Sequence, residues 1–61
     1  SGEKSLISHL KKLSKNQNPI IRGACIWSLN QLLNNEEKKI FEKMKKNEKN
    51  RYVLYELNMI S

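Results

Sequence analysis

Apolar residues return along this chain every three or four positions, in four runs separated by short polar stretches. Leu6, Ile7, Leu10 and Leu13 share one stripe and predict a helix near Lys4 to Lys15. Ser14 to Asn18 is polar and reads as a turn. Asn18-Pro19 then opens a second helix. The amide oxygen of Asn18 can accept a first-turn N–H, and Pro19 has a preset helical φ and no N–H to leave unpaired. That helix runs to about Leu33. Its apolar residues, among them Ile20, Ile21, Cys25, Ile26, Trp27, Leu29 and Leu32, cover more than one face, which predicts the most buried helix of the chain. Asn34-Asn35 stops it, Asn34 suiting a left-handed cap. Asn35 is expected to cap a third helix, with Glu36 and Glu37 at its positive end and Ile40, Phe41 and Met44 facing inward. After a turn over Asn47 to Asn50, a fourth helix from about Arg51 to Ile60 buries Val53, Leu54, Leu57 and Ile60.

The pattern repeats. Leu6, Ile7 and Leu10 map on Ile40, Phe41 and Met44 at a spacing of 34, and Asn18, Ile21 and Cys25 map on Asn50, Val53 and Leu57 at a spacing of 32. A turn two residues shorter in the second copy accounts for the difference. Helical hairpins repeated at that period are the mark of a stacked helical-repeat protein, in which each unit buries its apolar face on the next. The expected architecture is all-α, one domain over residues 1–61, with repeat one at about 4–33 and repeat two at about 36–60. The predicted core is Ile21, Cys25, Trp27, Leu29, Leu32, Phe41, Val53 and Leu57. Two units are fewer than such arrays usually need. Apolar residues Leu54, Leu57, Met59 and Ile60 cannot all face the third helix, so a docking face and weak self-association are expected.

Length and charge narrow the function. A 61-residue chain supplies at most one small domain. Cys25 is the only cysteine, which fits a reducing, cytoplasmic setting, and no stretch approaches a signal peptide or a membrane span. The start without Met suggests a piece of a longer protein, with Ser1-Gly2 an added dipeptide. Twelve Lys and Arg against six Glu give a net charge of +6, which fits either a polyanionic partner or a lysine-rich solubilising surface. The end of one helix and the start of the next share an edge of a hairpin. Lys11, Lys12, Lys15 and Arg22 occupy that edge in the first unit, and Lys45, Lys46 and Lys49 occupy it in the second. Stacking aligns them into one basic rim, whose phosphate contacts would be sequence-neutral and salt-sensitive. Tyr52 and Tyr55 are the spare aromatics available to stack.

No constellation for chemistry accompanies this rim. Cys25 stands among Ile21, Ile26, Leu29 and Leu32 and reads as a buried structural thiol. His9 has no Asp to orient it, since the chain contains none. No metal-ligand cluster and no Gly-rich phosphate loop is present. No catalytic, metal or cofactor residue is assigned. Gly23, inside a helix, points to close approach of a neighbouring element. Arg22 fits either a reach to the turn of the next unit, where Asn47 to Asn50 offer backbone and amide acceptors, or a phosphate contact.

Asn18, Pro19, Ile21, Arg22, Ala24 and Leu29 resemble the second helix of HEAT-like repeats, which implies two stacked hairpins of a right-handed α-solenoid. A narrower resemblance covers most of the chain. The string PIIRGACIWSLNQLL, a charged third helix and then YVLYELNMI are similar to the C-terminal end of bacterial epoxyqueuosine reductases. Arg22, Gly23, Trp27 and Leu29 match that family's Arg-Gly and Trp-x-Leu pattern. Val53 and Glu56 match its Val-Arg-x-Glu tail, with Leu54 in place of the Arg and Leu57 where an aromatic is common. The family are iron–sulfur, cobalamin-dependent enzymes of queuosine synthesis in tRNA that end in HEAT-like repeats. The resemblance implies a parent carrying [4Fe–4S] clusters and cobalamin upstream, because each cluster needs four cysteine ligands and this chain has one cysteine. The module itself would support the catalytic core or touch tRNA. A generic HEAT-like scaffold for protein contacts is the alternative.

Overall fold

The computed structural model describes residues 2–60; Ser1, half of the Ser1-Gly2 dipeptide, lies outside the described residues. Those residues form four α-helices and no strand. They are α1 (Gly2–Leu13), α2 (Pro19–Leu32), α3 (Ile40–Asn47) and α4 (Arg51–Ile60), with one 3₁₀ turn, Glu37–Lys39, leading into α3. Local chemistry sets most boundaries. Glu3 opens α1 and Lys11 and Lys12 close it, each sign matched to the helix dipole. The Asn18 side chain accepts from the Ile20 N–H at 2.9 Å with Pro19 in the first turn, as the sequence predicts.

The start of α3 differs from expectation. Asn34 is not left-handed; no described residue has positive φ, and α2 ends on an extended Leu33. Asn34 instead caps forward. Its Oδ1 accepts from the Glu37 N–H at 2.8 Å, and Glu37 Oε1 accepts from the Asn34 N–H at 2.9 Å. This reciprocal box needs a carboxylate three residues after the cap. Asn34 has Glu37 there, whereas Asn35 has Lys38.

The 32-residue register reappears in the hydrogen bonds ahead of α2 and α4. Asn16 Oδ1 accepts from the Asn18 N–H, and Glu48 Oε2 accepts from the Asn50 N–H. Asn18 and Asn50 then cap their helices. Helices α2 and α4 are therefore entered through the same two-step device.

Helices α2 and α4 form the central pair, with α1 packed on α2 and α3 on α4. The molecule measures 34 × 22 × 15 Å. Its least extent is about that of two helix layers, given interaxial spacings of about 8–10 Å. The core is Ile26, Leu29, Leu33, Phe41, Val53 and Leu57, flanked by Ile7, Leu10, Ile40, Met44 and Ile60. The four fully buried side chains, Ile26, Leu29, Val53 and Leu57, all lie on α2 and α4. Each stabilises the fold by roughly 1.5–3 kcal/mol relative to an exposed position.

Three predicted core residues are corrected. Trp27 is 43% exposed, Ile21 is 36% exposed and Leu32 is half-buried. The direction of α4 explains this. Gly23 and Trp27 meet α4 through Tyr52 and Glu56, so Trp27 stands at the edge of the α2–α4 contact, half in solvent, while Ile21 falls on a different face of α2. Val53, the register equivalent of Ile21, lies between α4 and α2 and is fully buried. Cys25, Leu29, Phe41 and Leu57 are buried as expected. Of the apolar residues late in α4, Met59 is exposed while Ile60 packs on the core.

Candidate nucleic-acid interface

Lysines and core residues are sorted between helices. Helices α2 and α4 contain no lysine, whereas α1, the 3₁₀ turn and α3 carry Lys4, Lys11, Lys12, Lys38, Lys39, Lys43, Lys45 and Lys46. Between the end of α1 and the length of α3 runs a groove of about 580 Å³. Lys11, Lys15, Lys43 and Lys49 line it, Ile40 and Met44 supply apolar wall, and Arg22 and Glu48 lie at its end nearest the turns.

The structure brings together part of the predicted rim. Lys11, Lys15, Arg22 and Lys49 line the groove; Lys12, Lys45 and Lys46 do not. Helix geometry dictates the split. Consecutive residues stand 100° apart, so Lys11 and Lys12 cannot share a face, while Lys11 and Lys15, four apart, can. By the same rule Lys43 falls in line with Ile40, Met44 and Asn47. That spacing was readable in the sequence, and Lys43 belongs in the rim.

Arg22 is occupied structurally. Its Nε donates to Glu48 Oε1 at 3.0 Å and its Nη2 to Glu48 Oε2 at 2.8 Å. Its Nη1 donates to the carbonyls of Asn16 and Gln17 at 2.8 and 2.9 Å. One guanidinium thus ties the α1–α2 turn to the α3–α4 turn. The expectation that the Asn47–Asn50 turn offers only backbone and amide acceptors is corrected: the acceptor is the Glu48 carboxylate. The signal was its place in the repeat, since Glu48 stands 32 residues after Asn16, whose side chain has the same capping duty. Hydrogen bonds from Arg22 hold the Glu48 carboxyl below its ordinary range, outweighing the opposing effect of burial. The same bonds push the guanidinium of Arg22 up. The fork of donors matches a carboxylate bidentately.

On α2 and α4 apolar and aromatic side chains reach solvent. Ile20, Trp27, Tyr52, Tyr55 and Met59 are all exposed there. Tyr52 lies over Gly23: a Cβ at position 23 would stand 2.7 Å from Tyr52 Cε2, so the missing side chain admits the ring. The Trp27 indole N–H donates to Glu56 Oε2, and Glu56 is only 9% exposed. Cys25 is buried, and burial pushes its thiol up. His9 is exposed. Among the described residues no group of three His, Cys, Asp or Glu is placed to hold a metal ion, and no helix is long and apolar enough to cross a membrane.

No protein-family model, curated protein or solved structure matches the chain.

Proposed function

We propose that this chain is the C-terminal HEAT-like module of an epoxyqueuosine reductase-like protein, non-catalytic by itself, that supports the catalytic core and contacts tRNA through its basic groove. The observation that carries the repeat reading is the Arg22 grip, in which the second helix of one hairpin holds the turn of the next. It supports a two-unit stack of the right-handed α-solenoid kind. The residues behind the resemblance include this arginine and Gly23, and both have interactions between the units. The tRNA reading is supported by the placement of Lys11, Lys15, Lys43 and Lys49 around one groove while the core helices carry no lysine. The clusters and cobalamin belong to the parent, whose coding sequence should hold ferredoxin-type cysteine runs upstream of Ser1.

Salt dependence tests the tRNA contact. With four lysines on phosphates, affinity for tRNA should fall roughly a hundredfold between 50 and 200 mM salt. Replacing Lys11, Lys15 and Lys43 by Gln should weaken binding and flatten that slope. Binding that ignores salt, or survives the triple replacement unchanged, removes the groove from the mechanism.

A second reading, a HEAT-like scaffold for protein contacts in the cytoplasm, rests on exposed Ile20, Trp27 and Met59 of α2 and α4. Contiguous exposed apolar residues favour protein contact or weak self-association. Sedimentation at high concentration, with Met59→Lys as the control, separates it from the first.

A further inference from the structure

We propose that Tyr52 and Tyr55 form a stacking platform for unpaired RNA bases, reached from the groove through Lys49 and Arg51. The proposal rests on the RNA reading above and names the form of RNA that reading requires. Three observations carry it. Tyr52 and Tyr55 stand three residues apart on α4, 45% and 61% exposed, so their rings present neighbouring surfaces to solvent. The Tyr52 ring lies against Gly23, which has no side chain to displace it. Arg51, exposed, stands four residues before Tyr55 on the same face of α4, and Lys49, which lines the groove, precedes Arg51 by two residues at the entry to that helix.

Charge decides between RNA and an apolar protein helix as occupant. The nearby carboxylates are engaged, Glu48 by Arg22 and the nearly buried Glu56 by Trp27. What the start of α4 offers a ligand is therefore two aromatic faces and two cations. A strand with its phosphates on Lys49 and Arg51 can lay its bases on the tyrosines. A base inside a duplex cannot reach them, because its faces are already stacked.

The test measures anisotropy of a labelled unstructured oligouridylate and of a blunt RNA duplex of equal length, each with the intact chain. Tyr55→Leu should weaken the single strand roughly tenfold and leave the duplex unchanged. Tyr55→Phe should bind as the original, since stacking needs the ring and not the hydroxyl. Tyr52→Leu should reproduce the loss, with circular dichroism confirming an intact fold. If Tyr55→Leu binds both RNAs normally while the lysine replacements weaken both, the platform is overturned and the groove reading survives. If neither RNA binds beyond an uncharged competitor at low salt, the RNA reading falls and the platform with it. A dimer in sedimentation that Tyr55→Leu disperses, with no effect on RNA, overturns the proposal in favour of a second copy.

Discussion

Arg22 and Glu48 lie 26 residues apart and meet through two parallel hydrogen bonds, 3.0 and 2.8 Å long, with side chains only 18% and 10% exposed. The carboxylate that receives them also accepts from the Asn50 N–H, so the pair is joined to the cap of α4. The joint between the two hairpins and the start of the last helix therefore depend on one side chain.

Arg22→Lys keeps the charge and loses the fork. It should lower stability by about 1–2 kcal/mol in urea unfolding. Glu48→Gln should cost a similar amount. The double variant should cost clearly less than the sum, because each change breaks the same bonds. Additive losses would show that the two residues act separately.

Acid should expose the same joint. The folded-state pKa of Glu48 lies below its ordinary 4.5, so its contribution is fully present above that value and is lost as pH falls through the depressed one. Thermal melts of the original chain should lose stability from about pH 4.5 downward. The difference between the chain and Glu48→Gln should shrink over the same window. A difference that persists in full at pH 2 would contradict the assignment.

Gly23 and Tyr52 should be coupled. Alanine in a helix is favoured over glycine by roughly 1 kcal/mol. In the original chain that gain is offset because the new Cβ displaces the Tyr52 ring. In a Tyr52→Ala background the gain should appear nearly whole. Equal effects of Gly23→Ala in both backgrounds would remove ring contact as the reason for the glycine.

Trp27→Phe keeps an aromatic ring and deletes the indole N–H. Glu56, nearly buried, then loses a donor, at an expected cost of about 1–3 kcal/mol. Since Trp27 is 43% exposed, even Trp27→Ala should leave a folded protein. Circular dichroism distinguishes these outcomes from the collapse expected of a core tryptophan.

Cys25 should resist alkylation. It is 4% exposed, and burial pushes its thiol up, so little thiolate exists near neutral pH. Iodoacetamide should label it in proportion to unfolding along a urea titration. Rapid labelling in native buffer would place the thiol outside the core.

What could be read in advance was what neighbours in sequence determine. Asn18-Pro19 marks a helix start through bonds within two residues, and α4 begins at Arg51 and ends at Ile60 as its periodicity indicates. The faces were harder. Trp27 and Ile21 sit in an apolar run with no polar stripe to orient it, so only the position of α4 reveals which residues face out. Glu48 was hidden by the asparagines around it, and the lysine rim was over-counted where two lysines follow one another.

The four fully buried side chains belong to α2 and α4, and α1 buries no residue completely although it carries three lysines. The lysines and the fully buried side chains thus occupy different helices. Substitutions at the lysines of α1 can retune the surface field with little penalty to the fold, whereas the buried faces of α2 and α4 have little room to vary. In a mutational scan, tolerance should follow burial within each helix: strict at Ile7 and Leu10 of the first, at Cys25, Ile26 and Leu29 of the second, at Phe41 of the third and at Val53 and Leu57 of the fourth, and permissive at the exposed positions between them. Such a molecule can change its surface charge without rebuilding its core.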